Sequence, residues 1–237
     1  MPLMKISRDR LLKMEKYKII DVKESVIADN DADAEKLRNE LKAQDLFLVN
    51  IMSSPGGGKT TTLLRTIEAL GREFNIGVME ADIDSDVDAA TVAAAGAKAI
   101  QLHTRGMCHL DADMTRDALA QMGAEDVNMC FIENVGNLVC PAEFDTGAVK
   151  NVVILSVPEG DDKPLKYPYI FTKCEVALIN KCDTLEIFDD FSKTAVEERI
   201  HALNPAAKVF FISSINGEGI SQWTDWLRIE ANRWLKK

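Results

Sequence analysis

An apolar run, Phe47-Leu48-Val49-Asn50-Ile51-Met52, breaks into Ser53-Ser54-Pro55-Gly56-Gly57-Gly58 and then delivers Lys59, Thr60 and Thr61. The run is short, β-branched and aromatic, which suits a buried strand, and Leu63, Leu64, Ile67 and Leu70 then recur at helical spacing. Strand, glycine loop and helix in that order form a phosphate site. Backbone N–H groups freed by the glycines and the positive start of the helix can wrap a β-phosphate. Lys59 can reach the β- and γ-oxygens, and the Thr60 hydroxyl can ligate Mg²⁺. The expected nucleotide-binding set is therefore Ser54, Pro55, Gly56, Gly57, Gly58, Lys59, Thr60 and Thr61. The strict G-x-x-x-x-G-K-[ST] pattern wants glycine where Ser53 stands. Gly56 and Gly57 are expected to supply the freedom that Ser53 lacks.

A chain of 237 residues has room for one α/β domain with an extension and can bury a sizeable core. Residues 1–30 mix charges with scattered apolar residues and read as an N-terminal extension; residues 31–237 read as the nucleotide-binding domain. The 38 acidic against 28 basic residues leave a net charge of -10, which argues against a nucleic-acid partner because phosphate backbones reward clustered Lys and Arg. No apolar run is long enough for a signal segment or a membrane span, so no membrane association and a cytoplasmic location are expected. Five cysteines, at 108, 130, 140, 174 and 182, are odd in number and lack framework spacing, so reduced thiols are expected.

A helix capped by Asp31 or Asp33 and running to Gln44 is expected from Ala34, Leu37 and Leu41 on one face. Further strands are expected at 75–80, 98–102, 127–132, 151–157, 175–179 and 208–212. Helices are expected up to about Ala95, over 112–122, and at the end of the chain with Ile220, Trp223, Leu227 and Trp234 inward. Strands alternating with helices mean a doubly wound, mostly parallel sheet of the P-loop NTPase type. Ligands of such sheets sit beyond the carboxyl ends of the strands.

The remaining motifs fall at such ends. Asn180-Lys181-Cys182-Asp183 follows an apolar strand, and the Asp183 carboxylate can accept from both N1–H and the exocyclic amine of guanine. Adenine lacks that pair of donors. Ser213 and Ser214, ahead of Gly217 and Gly219, suit backbone contacts with the base. Glu133, closing its strand, can hold Mg²⁺ or its water, and Gly136 can turn its N–H toward a γ-phosphate. Asp82 is the expected switch acid, bound through water to Mg²⁺ or orienting the attacking water. Asp84, Asp86 and Asp88 read as a solvated, helix-capping face. No arginine is placed as a finger, so slow intrinsic hydrolysis is expected.

Cys108-His109 sets a thiol beside an imidazole at a loop-to-helix junction, a soft or borderline donor pair suited to nickel or zinc. Cys140 lies four residues beyond Gly136, so the stretch placed to sense a γ-phosphate also carries a thiol. Cys130, inside an apolar strand, reads as core; Cys174 and Cys182 lie on the base-binding side.

Taken together, Ser53–Thr61, Glu80-Ala81-Asp82, Cys108-His109-Leu110-Asp111-Ala112, residues 133–141, residues 159–168 and Asn180-Lys181-Cys182-Asp183 resemble the hydrogenase nickel-incorporation GTPases called HypB. These are metallochaperones of the SIMIBI class of P-loop proteins. The resemblance covers roughly residues 30–220. It implies hydrolysis of GTP to GDP, a homodimer formed in a GTP-dependent manner, and nickel or zinc held by Cys108, His109 and Cys140 near the subunit interface. The implied partners are other hydrogenase-maturation proteins or the hydrogenase large subunit. Three ligands per chain leave a tetrahedral set incomplete, which fits an open position or a site shared across a two-fold axis.

Gly57 stands where the family usually has serine, Ala81 where it has glycine, and Asp113 where a second histidine often sits. With Cys108 the first cysteine and only three histidines in all, a nickel-storage role is not expected. The alternatives are a GTPase metallochaperone for urease or for a cobalamin enzyme, a P-loop small-molecule kinase, and a structural zinc protein. The Cys-His pair with Cys140 argues against the cobalamin class, and no acceptor-binding lid or base supports the kinase.

Overall fold

The computed structural model describes residues 22–82, 87–104 and 106–236, apart from the side chains of residues 22–25, 82, 87 and 88. Chain order is α1 (Val22–Ala43), β1 (Phe47–Ser53), α2 (Lys59–Leu70), β2 (Ile76–Asp82), α3 (Val87–Ala94), β3 (Lys98–His103), α4 (Ala112–Met122) and β4 (Met129–Glu133). There follow α5 (Cys140–Glu143), β5 (Lys150–Ser156), α6 (Lys163–Lys166), α7 (Pro168–Thr172), β6 (Val176–Asn180), α8 (Lys193–Leu203), β7 (Lys208–Phe211) and α9 (Ile220–Leu235).

The strands of the described residues form one seven-stranded sheet in the order β3-β2-β4-β1-β5-β6-β7. Every pairing is parallel. A central parallel strand is covered on both faces, so it reads as a continuous apolar run rather than an alternating one. β1 behaves so: all of its residues are buried. On one face Val49 and Ile51 pack with Leu63 and Ile67 of α2 and Trp223 and Leu227 of α9. On the other, Leu48 joins Leu37 and Leu41 of α1 and Leu119 of α4, while Met52 joins Phe171 of α7 and Val196 of α8. Trp223 is fully buried, and its indole N–H donates to Thr66 Oγ1 at 3.0 Å. Truncation of a ring so placed costs roughly 3–5 kcal/mol.

The chain leaves β1 toward β2 on one side, and after β4 it crosses to β5 on the other. The glycine loop follows β1 at this switch point, where an open α/β sheet forms its ligand crevice.

The helix expected to start at Asp31 or Asp33 is already formed at Val22, the first described residue. Asp33 lies inside it and pairs with Lys36 one turn on, at 2.7 Å. The early turns carry no periodic apolar face, so the sequence hides them. A tertiary contact supports them: the Asn30 side chain reaches both Asp145 and Ala112.

Candidate nucleotide and metal site

A cleft of about 590 Å³ opens beyond the carboxyl ends of the strands, walled by Pro55, Lys59, Thr60, Glu80, Glu133 and Gly136 among others. The volume lies in the range of small-ligand sites. Lys59 Nζ stands 3.4 Å from Ser53 Oγ and 4.0 Å from Glu133 Oε1. The Thr60 hydroxyl donates to Glu133 Oε1 at 2.9 Å. One hydroxyl and one carboxylate oxygen thus converge beside the phosphate loop, a hard-oxygen donor set that fits Mg²⁺. Asp82 ends β2, its backbone in register with His103, but its side chain lies outside the described residues, as do Asp84, Asp86 and the side chain of Asp88.

The loop's conformational freedom sits at Gly56 and Gly58, with φ of +73° and +96°, and not at Gly57. Gly57 meets a different need: a Cβ there would stand 3.0 Å from Ser53 Oγ. The serine in place of the pattern's first glycine is thus accommodated by a glycine opposite it. Gly136 serves close approach, since a Cβ would lie 3.1 Å from Pro55 Cγ and 3.2 Å from Pro55 Cα. The segment after β4 therefore rests directly on the phosphate loop.

The N-K-x-D turn is tied to the glycine loop by side chains. Asn180, buried at the end of β6, donates to Gly57 O at 3.0 Å and accepts from Ser214 N at 3.1 Å and Ser214 Oγ at 2.9 Å. Lys181, at φ +61°, donates to Gly56 O at 2.7 Å. Asp183 is exposed, and its Oδ1 accepts from Ser213 Oγ at 2.5 Å. Thr62 of α2 shares a hydrogen bond with Ser214 Oγ at 2.8 Å. Arg65 adds bonds to the carbonyls of Ser214 and Ile215, which nothing in the sequence pattern announces.

Next to this cleft lie the soft donors. Asp111 caps α4, its Oδ1 accepting from Met114 N at 2.8 Å, so Cys108 and His109 are held just ahead of a fixed helix start. Cys140 opens α5, and its side chain lies near enough to Cys108 to perturb that thiol. That neighbour is the main cause holding the Cys108 thiol above its ordinary pKa; burial adds to it. Burial lowers the pKa of His109, which favours the neutral imidazole that a metal requires. The His109 ring stacks on Phe144 at 3.7 Å and 9°. Cys108 Sγ lies 3.9 Å from His109 Nδ1. Among the described residues no group of three or more His, Cys, Asp or Glu side chains is arranged to hold a metal ion. The three donors share one neighbourhood without closing a cage.

Cys130, Cys174 and Cys182 are buried, and burial pushes their thiols up to about 12, about 12 and about 11. Cys108 and Cys140 are only half-buried. A thiol-exchange reagent is therefore expected to label Cys108 and Cys140 in the native protein and the other three only after denaturation. Native labelling of all five, read by mass spectrometry, would contradict this packing.

Sequence reasoning missed Asn50, Asn134, Phe144 and Gln101. The Asn134 amide donates to Asn50 Oδ1 at 3.0 Å, and Asn50 donates to Asn151 Oδ1 at 3.0 Å, an amide chain from the end of β4 across β1 to β5. Both amide atoms of Gln101, on the cleft wall, are buried without a hydrogen-bond partner among the described residues.

A phosphate loop at the switch point of a parallel sheet, with an N-K-x-D turn bonded to it, defines a nucleotide-binding P-loop protein of the SIMIBI class. The family pattern for the CobW/HypB/UreG nucleotide-binding domain matches residues 47–211. The chain is 43% identical over 223 residues to the hydrogenase maturation factor HypB of Azotobacter chroococcum mcd 1, covering 94% of this chain and 73% of the relative. It is 39% identical over 214 residues to the hydrogenase/urease maturation factor HypB of Helicobacter hepaticus, covering 89% and 87%. The crystal structure of HypB from Helicobacter pylori in complex with nickel superimposes with a TM-score of 0.81 at 37% identity, covering 86% of this chain and 96% of that one. The chain belongs to the HypB family of P-loop GTPases.

Proposed function

We propose that this chain is a GTP-hydrolysing metallochaperone that helps deliver nickel to a hydrogenase, with its metal site coupled to the nucleotide. The observation carrying this reading is the path of one segment. Gly136 rests on Pro55 of the phosphate loop, and Cys140, a few residues on, lies near Cys108. A γ-phosphate meeting Gly136 would shift the segment that carries one of the soft donors.

In this reading the loop Ser54–Thr61 cradles the phosphates, Lys59 offsets their charge, and Asn180, Lys181, Asp183, Ser213 and Ser214 receive guanine. Thr60 and Glu133, with Asp82, would hold Mg²⁺, which supplies neutralisation of charge on the transferred phosphoryl group. Cys108, His109 and Cys140 bind the cargo as nickel or zinc, thiolates and a neutral imidazole being suitable donors. Their open arrangement fits a site completed by a second copy in a GTP-dependent homodimer. Residues 31–237 act as the GTPase unit and residues 1–30 as an extension. Delivery involves other maturation proteins or the hydrogenase large subunit. Urease is a second target, supported by the name of the Helicobacter hepaticus relative. A cytoplasmic site of action agrees with the described residues, where no helix is long and apolar enough to cross a membrane.

Coupling of this kind is reciprocal and is typically worth about 1–3 kcal/mol. Nickel and zinc affinities measured with GDP and with a non-hydrolysable GTP analogue are expected to differ about tenfold, with a change in molecular size. Equal affinities and equal size in the two states would sink the coupling.

A further inference from the structure

We propose that Asn30 is a positioning residue of the metal site: its one amide ties the segment bearing Cys108 and His109 to the segment bearing Cys140. The inference rests on the reading of those three residues as metal ligands and names what aligns them.

Asn30 lies on α1, remote in sequence from both segments. Its Oδ1 accepts from Ala112 N at 3.0 Å, and its Nδ2 donates to Asp145 O at 3.0 Å. Ala112 is the first residue of α4, so its N–H has no intrahelical acceptor. Asp111 already satisfies Met114 N, and Asn30 takes another of the orphans. Asp145 is fixed in turn, because both its carboxylate oxygens accept from Arg38 Nη1 at 2.9 Å, and Oδ1 also accepts from Gly147 N at 2.8 Å. α1 thereby grips both segments through two of its side chains.

The geometry between these grips is short. His109 stands three residues before Ala112, and Phe144 immediately precedes Asp145. The stacked rings of His109 and Phe144 form a second tie between the segments, with Cys108 and Cys140 as neighbours. The far end of the Cys140 segment is thus anchored on α1, while its near end rests on the phosphate loop at Gly136. Displacement at Gly136 must be taken up between the two anchors, where Cys140 sits. An amide suits this role because it donates and accepts at once, which a carboxylate cannot.

Two variants of the full chain test the bridge. Asn30→Asp keeps an acceptor for Ala112 N but loses the donor to Asp145 O, and Asn30→Ala loses both. Nickel titration, followed by the thiolate-to-metal absorption band, is expected to show about tenfold weaker binding in each, the usual cost of removing an outer support of a metal ligand. GDP affinity should stay at its wild-type value, and the thermal midpoint should fall by only a few degrees, roughly the cost of one or two hydrogen bonds. A metal-free readout runs in parallel: diamide oxidises the Cys108 and Cys140 thiols to a disulfide, taking up their two electrons and two protons to become the hydrazine, and both variants should cross-link more slowly. Wild-type affinity and cross-linking in Asn30→Asp would reduce Asn30 to a helix cap and overturn the bridge. A loss shared equally by GDP affinity and thermal midpoint would overturn it too, as a general loss of folding. If the wild type shows no thiolate band, and Cys140→Ser changes nothing, the metal reading fails, and the cross-linking rate alone then decides for or against the positioning role.

Discussion

Gly58→Ala is expected to weaken GDP and GTP binding about a hundredfold or more, by two costs of roughly 1–3 kcal/mol each acting at one atom. The first is backbone strain, because Gly58 holds φ +96° at the start of α2, a conformation an L side chain rarely adopts. The second is collision: the new Cβ would stand 2.3 Å from Asn180 Nδ2. Asn180 cannot give way cheaply. Its amide is buried, holds Gly57 O, and accepts from both the N–H and the hydroxyl of Ser214. Moving it would disturb the phosphate loop and the base loop together. Gly96→Ala is the matched control. It has the same φ of +96° and no atom within 4 Å of the added Cβ, and it lies between α3 and β3, away from the loop. That variant should lose stability through strain alone and keep its nucleotide affinity. Titration with a fluorescent GDP derivative reads the difference, and near-wild-type affinity in Gly58→Ala would show that the Asn180 tether is not what shapes the site.

The same residues show what a sequence can disclose. Buried parallel strands are apolar throughout, so β1, β5 and β6 stand out from their surroundings, and with them the order of strand and helix and the places where motifs must fall. The phosphate loop was legible, but the division of labour among its glycines was not. That Gly57 makes room for Ser53 while Gly58 makes room for Asn180 depends on side chains brought in from elsewhere. Asn180 is read from the sequence as part of a base-recognition turn, and in the structure its amide holds two loops together. The stretch of α1 ahead of Asp31 was hidden because residues 22–30 mix charged and apolar side chains, and the bonds that Asn30 makes are long-range. Cys108 and Cys140 could be paired only through resemblance to a family. Phe144, on which His109 stacks, carried no signal at all, since an aromatic residue in a loop is ordinary until a partner is seen.

Asp183→Asn is expected to cost GTP at least about a hundredfold in affinity and to raise affinity for xanthosine triphosphate, so that the order of preference inverts. In the proposed reading this carboxylate receives the base. Cys182, buried beneath it, donates to Ile179 O at 3.2 Å, Lys181 is pinned to Gly56 O, and Ser213 Oγ donates to one carboxylate oxygen. Among the described residues that bond engages Oδ1 alone, and a carboxylate oxygen accepts more than one hydrogen bond. Guanine offers two donors on one edge, N1–H and the exocyclic amine, and hydrogen bonds to a charged acceptor contribute about 1.5–3 kcal/mol each. Asparagine replaces one acceptor with an N–H₂ group, which then confronts the guanine amine. Xanthine carries a carbonyl at that position, so the same N–H₂ group gains a partner there. Ser213 can still donate to the Asn oxygen, so the turn should keep its shape and the variant should fold. Competition binding with GDP, the xanthosine diphosphate and ADP separates the outcomes. Loss of guanine binding with a gain for xanthine supports recognition through Asp183; an unchanged preference for GDP over the other two would place the base elsewhere and remove the ground for calling the nucleotide guanine from this turn.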